Sequence, residues 1–120
     1  MKVVVTTVSA DIDAPVDPRF GRAACFVIVD PQTMVWEAQA NPAVDAMGGA
    51  GTQAAQVVAR AQPEAVISGA FGPNAFQALQ AAGIKMFRAP QNGTARKAVE
   101  DYRAGKLPAV EASTGRGRRG

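Results

Sequence analysis

The run of residues from Val3 to Val8 restricts the fold more than any other feature of this chain. Every position in it is valine or threonine, and the run begins with consecutive valines. β-Branched residues favour strands, and a strand that is apolar on both faces belongs in the interior of a covered sheet. The run therefore predicts the central strand of a sheet.

Four further runs predict the other strands of this sheet. They occupy residues 25–30, 33–38, 65–68 and 84–87. The first two of these runs flank Pro31 and Gln32, which predicts an antiparallel hairpin.

Three helices are predicted from apolar periodicity and from residues that begin or end helices. The first follows the glycines at 48–51 and runs to about Ala61. The second begins at Pro73 and ends at Gly83, and the third begins after Thr94 and stops at Gly105. The element order βββαβαβα, with helical crossovers after the third and fourth strands, predicts an α/β fold with a mixed five-stranded sheet and helices on its faces.

The charge distribution separates a neutral domain from a basic tail. The formal net charge of the 120 residues is +3, and the tail contains Arg116, Arg118 and Arg119. We assign residues 1–108 to one folded domain and 109–120 to a flexible basic tail. The domain has no excess of basic residues, and the tail arginines support only weak, salt-sensitive phosphate contacts, so no nucleic-acid partner is expected.

The residue types that are missing exclude several kinds of protein. The chain has no histidine and a single cysteine, Cys25. A Ser-His-Asp hydrolase and an ordinary zinc enzyme are therefore excluded, as is an intramolecular disulfide. A single cysteine fits a reducing compartment, and no run approaches the roughly 18 apolar residues of a membrane helix. We expect a cytoplasmic protein with no membrane partner.

A glycine-rich turn precedes the first helix. Gly48, Gly49 and Gly51 surround Ala50, and Thr52 leads into a run of alanine and valine. Glycine allows close backbone approach or positive φ, and a helix N-terminus presents free N–H groups to anions. The turn is neither a P-loop nor a GxGxxG motif, so it predicts either an anion site or a flexible loop entering a packed helix.

Four loops are expected to meet at one edge of the sheet. They are the loop after the first strand, the glycine turn, the turn at Gly72 and the loop that contains Asn92. Open α/β sheets bind ligands in the crevice at this edge. Arg19 and Arg22 in the first loop can supply positive charge there. Alternatively, these arginines form ion pairs with aspartates of the same surface loop.

Four segments, taken together and in this order, resemble the dinitrogenase iron-molybdenum cofactor biosynthesis family. They are Asp17–Ala23, Gly48–Ala55, Gly69–Ala75 and Ala82–Lys85. The resemblance covers about residues 1–108 and implies a ribonuclease-H-like, three-layer α/β/α fold. Members of the family include accessory carriers of nitrogenase cofactor precursors and the orange protein, which holds a molybdenum-copper sulfide cluster.

What the resemblance implies is a binding protein and not an enzyme. Its ligand would be an iron-molybdenum or molybdenum-copper sulfide cluster, and its partners would be the proteins that donate or accept that cluster. The candidate cluster-binding residues are Arg19, Arg22, Gly48, Gly49, Ala50, Gly51, Thr52, Gly72 and Asn92. Cys25 and Met47 are the candidate soft metal ligands, and each is otherwise a packing residue.

Two other functions are consistent with the sequence. An enzyme acting on a phosphorylated or nucleotide substrate is disfavoured, because a two-metal nuclease needs a carboxylate cluster and only Asp11, Asp13 and Asp17 are near, all on one loop. A regulatory or small-anion- or nucleotide-binding module on the same fold is the other alternative. The hairpin edge at residues 33–38, which includes Trp36, allows self-association, and a covered edge is equally consistent with the sequence, so we expect a monomer or a weak homodimer.

Overall fold

The computed structural model describes residues 1–90 and 92–111. Its elements follow the order predicted from the sequence, which confirms the α/β fold class. They are β1 Val3–Thr7, β2 Cys25–Val29, β3 Trp36–Ala40, α1 Ala50–Arg60, β4 Ala65–Ser68, α2 Pro73–Ala81, β5 Lys85–Arg88 and α3 Ala95–Arg103.

The sheet is mixed, and β1 lies at its centre as predicted. The strand order is β3-β2-β1-β4-β5. β1 pairs antiparallel with β2 and parallel with β4, so Val5 lies between Val27 and Ile67. Because every residue of β1 is buried, the run of β-branched residues is covered on both faces from Val3 to Thr7.

Alternate residues of β1 belong to two separate cores, which gives the three layers. Val4 packs with Val58 of α1 and Leu79 of α2 on one face. Val3 and Val5 pack with Val99 of α3 on the other. The period of two in the strand thus places α1 and α2 on one side of the sheet and α3 on the opposite side.

The third strand begins later than the sequence predicts. Residues 33–35 belong to a turn that the side chain of Asp30 stabilises, because its Oδ1 accepts the N–H of Gln32 at 2.9 Å and that of Thr33 at 3.4 Å. The Gln32 bond also lowers the pKa of Asp30. Met34 has a φ of 64°, outside the range of a strand. An aspartate that holds its own turn therefore shifts the strand to Trp36–Ala40.

The predicted helix ends are confirmed. Pro73 is the first residue of α2, and the Thr94 side chain accepts the Lys97 N–H at 3.1 Å. Gly83 and Gly105 follow α2 and α3 with φ values of 77° and 73°. None of the helices within the described ranges is long and apolar enough to cross a membrane.

Residues 108–110 lie along the outer edge of β5. Arg88 N–H donates to the Pro108 carbonyl at 3.1 Å, and Val110 N–H donates to the Met86 carbonyl at 2.9 Å. The described structure therefore continues past the boundary at 108, and it covers this edge of the sheet. The rest of the predicted basic tail, residues 112–120, lies outside the described residues.

Tyr102 joins α3 to the edge of the sheet away from the glycine turn. Its ring meets Phe87 edge-on with ring centroids 5.1 Å apart, and its hydroxyl donates to the Glu64 carboxylate. Burial of the hydroxyl and, to a smaller extent, its hydrogen bond to Glu64 raise the pKa of Tyr102 to about 12.

Because this pKa lies above the unfolded value of about 10, the folded protein keeps the proton longer than the unfolded chain does. The stabilisation is full below pH ~10 and is lost as the pH rises to about 12. We expect Tyr102→Phe to weaken this alkaline loss of stability, measured by urea unfolding between pH 9 and 12 at constant ionic strength. Identical pH slopes for the two proteins would contradict the assignment.

Candidate functional site

The carboxyl ends of the parallel strands define one edge of the sheet, which we call the crevice edge. β1, β4 and β5 end there at Thr7, Ser68 and Arg88. The loops that leave these strands, and the loop that leaves β3 toward α1, therefore meet at one place, as predicted. This is the position at which open α/β sheets bind ligands.

The loop after β1 returns to the sheet through a buried polar cluster. Asp17 N–H donates to the Thr6 carbonyl at 2.9 Å. Thr6 Oγ1 and Ser68 Oγ lie 2.8 Å apart, and they lie 3.0 and 3.3 Å from the Asp17 carbonyl oxygen. Because these groups are buried and hydrogen-bonded, the loop is held in one path over the ends of β1 and β4.

Glycines let this loop touch two other backbones. A Cβ at Gly69 would lie 2.5 Å from Pro18 Cα, and one at Gly21 would lie 3.0 Å from Gly51 Cα. Between these two contacts, the Phe20 ring is buried against Phe26 and Phe71, so it packs as a hydrophobic plug. The loop therefore runs from the start of the β4–α2 turn to the first turn of α1.

The first turn of α1 presents backbone donors at the crevice edge. Its N-cap, Gly49, has a φ of 73°. The N–H groups of Ala50, Gly51 and Thr52 have no acceptor within residues 1–90 and 92–111. Ala50 is buried and Gly51 and Thr52 are half-buried, whereas Gly48 and Gly49 are exposed. The glycine turn is therefore an ordered helix start and not only a flexible entry.

The first turn of α2 lies next to that of α1. A Cβ at Gly51 would lie 3.2 Å from the Cβ of Ala75. The N-cap of α2 is Gly72, and neither this helix nor α1 has a side-chain cap among the described residues or an acidic residue in its first turn. Two positive helix-dipole ends thus lie side by side, and neither first turn contains an acidic residue.

The N-terminus of α3 differs from these two. Besides the Thr94 cap, the carbonyl groups of Ile12 and Ala14 accept the N–H groups of Arg96 and Ala95 at 2.8 and 3.0 Å. Arg96 also pairs with Asp13 at 2.7 Å, which lowers the pKa of that exposed carboxyl. The first N–H groups of α3 therefore already have acceptors within the protein.

The two predicted arginines have different environments. Arg22 is half-buried, and its Nη1 donates to the carbonyl groups of Val44 and Ala46 at 3.1 and 2.6 Å. It therefore holds the loop before the glycine turn. Arg19 is exposed, and its Nε lies 3.7 Å from the Asp17 carboxylate, which also accepts the Arg19 N–H. For Arg19, the alternative of an ion pair within the loop is the one observed.

A cavity of about 380 Å³ opens at the crevice edge. Its lining residues are Val16, Pro18, Gly69, Ala70, Arg88, Ala89 and Pro90. Arg88 supplies the positive charge of this cavity, which we call the Arg88 cavity. Arg88 is not among the residues predicted from the sequence, because the predicted last strand ends at Phe87. A basic residue directly before Ala89 and Pro90, at a strand's carboxyl end, was the available signal.

Asn41 is a second residue of this site that is not predicted from the sequence. It is buried, and its Nδ2 donates to the carbonyl groups of Gly21 and Ala23 at 3.2 and 2.9 Å. Its Oδ1 accepts the Ala43 N–H at 2.9 Å. Asn41 thus joins the loop after β1 to the loop after β3.

The remaining candidates lie apart from one another. Cys25 is half-buried, and the alternation of β2 places it on the face of Val27 and Val29, toward α3. Met47 is fully exposed, and Asn92 is exposed with a φ of 68°. Within the described residues no group of three or more Cys, Asp or Glu side chains can hold a metal ion.

Two larger cavities lie elsewhere. One of about 520 Å³ includes Glu64, Tyr102 and Arg103, and one of about 490 Å³ includes Asp30 and Trp36. Both lie at the opposite edge of the sheet, where the parallel strands begin. Neither lies at the carboxyl ends of the parallel strands, so the crevice edge is the better candidate for a ligand site.

Fold and loop arrangement together define a small α/β protein with a crevice at the carboxyl ends of its parallel strands. The sequence profile of the dinitrogenase iron-molybdenum cofactor family matches residues 1–105. The chain belongs to this family, which confirms the resemblance seen in the four sequence segments.

Two solved structures are similar over nearly the whole chain. The apo form of the orange protein from Desulfovibrio gigas is 42% identical, with a TM-score of 0.90 over 94% of this chain and 95% of that one. A putative NifB protein from Thermotoga, assigned to the DUF35 family, is 32% identical, with a TM-score of 0.83 over 97% and 98%. No curated protein sequence matches the chain.

The contact between Gly69 and Pro18 gives a prediction about stability. Gly69→Ala forces its Cβ against a backbone that cannot move independently, and we expect a loss of about 1–3 kcal/mol in the free energy of unfolding. Urea unfolding monitored by circular dichroism measures this loss.

Gly48→Ala is the matched control, because a Cβ at Gly48 meets nothing within 4 Å. We expect it to change the free energy of unfolding by no more than about 0.5 kcal/mol. Equal stabilities for the two variants would show that the close approach at Gly69 does not hold the loop.

Proposed function

We propose that this protein binds and carries an anionic iron- or molybdenum-containing sulfide cluster at the crevice edge. The cluster is cargo that the protein receives from one partner and delivers to another. One observation carries the proposal: the N-termini of α1 and α2 lie side by side, without side-chain caps among the described residues and without acidic residues in their first turns.

The negative charge of such a cluster suits the two adjacent helix N-termini. Thiometallate clusters are anions whose sulfide atoms accept hydrogen bonds, and helix N-termini supply N–H donors and positive potential. In the proposal Gly49–Thr52 and Gly72 contribute backbone groups, and Arg88 contributes charge at the rim of the cavity. The cavity volume of about 380 Å³ lies within the usual range of small-ligand sites.

The mode of binding that we propose is electrostatic and not covalent. Cys25 lies toward α3, whereas α1 and α2 lie on the other face of the sheet. Arg22 contributes indirectly, because it positions the loop before the glycine turn through Val44 and Ala46. A cluster without thiolate ligands can leave without breaking a metal–protein bond, which suits a carrier and requires no catalytic residue.

Family and neighbours support this proposal in general terms. The family is described by the dinitrogenase iron-molybdenum cofactor, and the orange protein structure is an apo form. We infer that the partners are cluster donors and acceptors, and that the protein acts in the cytoplasm, where its single cysteine stays reduced.

Anaerobic reconstitution tests the proposal. The protein is incubated with iron and sulfide, and separately with tetrathiomolybdate and copper, then desalted and analysed for metal and visible absorption. We expect stoichiometric cluster with at least one mixture. We expect Arg88→Ala to weaken binding about tenfold, or about 1.4 kcal/mol, because it removes a charge at the site.

Two control variants separate the modes of binding. Arg60→Ala removes the same charge from the last turn of α1, far from the crevice edge, and is expected to bind like wild type. Cys25→Ala is also expected to keep its cluster. Loss of metal in Cys25→Ala alone would show thiolate ligation, and absence of metal from every protein would favour a small-anion or regulatory role.

A further inference from the structure

The two edge strands of the sheet differ in whether another segment of the chain covers them. Residues 108–110 cover β5 through backbone hydrogen bonds. The other edge is β3, and no residue within 1–90 and 92–111 pairs with its outer side. Four of its five residues are exposed. β3 contains no proline or lysine and its pairing with β2 is regular, so this edge strand is not protected by a proline, a lysine or a bulge.

The hydrogen bonds of the hairpin show which backbone groups face outward. Antiparallel pairs alternate between hydrogen-bonded and non-bonded. Asp30 N–H donates to the Val35 carbonyl at 2.9 Å, and Asn41 N–H donates to the Ala24 carbonyl at 3.0 Å. By this alternation Glu37 and Gln39 bond to β2. The N–H and carbonyl groups of Trp36, Ala38 and Ala40 therefore point away from the sheet.

We propose that β3 is a homodimer interface, in which two copies pair antiparallel about a two-fold axis at Ala38. In this register Ala38 faces Ala38 of the second copy, and Trp36 faces Ala40. Each facing pair has its outward N–H and carbonyl groups in position to exchange hydrogen bonds. The two five-stranded sheets then form one continuous sheet.

The side chains favour a second copy in this register. Glu37 faces Gln39 of the other copy, so no like charges meet, and the large Trp36 side chain faces the small Ala40. A register centred on Glu37 would instead place two carboxylates opposite each other. Trp36, which is 38% exposed, and Val35, which is 70% exposed, become partly covered.

This inference does not depend on the proposed function. The crevice edge lies at the carboxyl end of β3, and β3 of one copy runs antiparallel to β3 of the other. The two crevices therefore open in opposite directions, and neither is blocked by the dimer. Reconstitution and self-association can thus succeed or fail separately.

Sedimentation equilibrium of the full chain over a wide concentration range tests the dimer. We expect the mass to rise from 12.4 kDa toward twice that value. The only tryptophan of the chain is Trp36, so its fluorescence emission should shift to shorter wavelength over the same range. A monomeric mass and an unchanged emission at every concentration would overturn the proposal.

Two variants with opposite charges at position 39 test the register. Gln39→Lys places an ammonium opposite Glu37 of the other copy, and Gln39→Glu places a carboxylate there. We expect the first to lower and the second to raise the dimer Kd, each by about fivefold, with both shifts reduced by salt. Because Gln39 is exposed, neither variant is expected to disturb the fold.

Ala38→Pro removes an outward N–H at the axis and is expected to abolish the dimer while circular dichroism stays native. If that variant does not fold, the two Gln39 variants still test the interface. Opposite shifts for the two Gln39 variants support the interface, and a dimer Kd unchanged in both would overturn it.

Discussion

The crevice edge depends on close contacts between backbones that glycine makes possible. Pro18 lies against Gly69, and Gly21 lies against Gly51. These contacts press the loop after β1 onto the β4–α2 turn at one end and onto the first turn of α1 at the other. The loop therefore has a fixed path with little regular structure of its own, and the Arg88 cavity opens beside it.

Buried polar groups add to this constraint. Thr6, Ser68 and the Asp17 backbone satisfy one another under the loop, and Asn41 joins it to the segment after β3. Breaking one of these bonds would leave a buried group unpaired, which costs more than the bond itself contributes. Phe20 fills the space between the two glycine contacts. At the crevice edge, the N-termini of α1 and α2 have no side-chain caps among the described residues, which is why the electrostatics there favour an anion.

Much of the fold follows from local sequence patterns. β1 is apolar on both faces, which places it at the centre, and Pro73, Gly83 and Thr94 mark helix ends by their own chemistry. The predicted start of β3 at residue 33 was wrong, because the side chain of Asp30 stabilises a turn that strand propensity does not reveal.

The site was less predictable, because side-chain roles there depend on contacts between distant segments. Arg22 bonds to Val44 and Ala46, and nothing in the motif around Arg22 indicates this. Arg88 was missed because the predicted strand ended one residue too early. The face on which Cys25 lies follows from alternation along β2, but only after the helices are assigned to their layers.

The most direct test of the account is a two-dimensional 1H–15N NMR titration of the labelled protein with tetrathiomolybdate and copper under anaerobic conditions. The account predicts shifts of the amide signals of Ala50, Gly51 and Thr52, of residues 69–72 and of Arg88. Shifts confined instead to Glu64, Tyr102 and Leu107, around the cavity at the opposite edge, would contradict it.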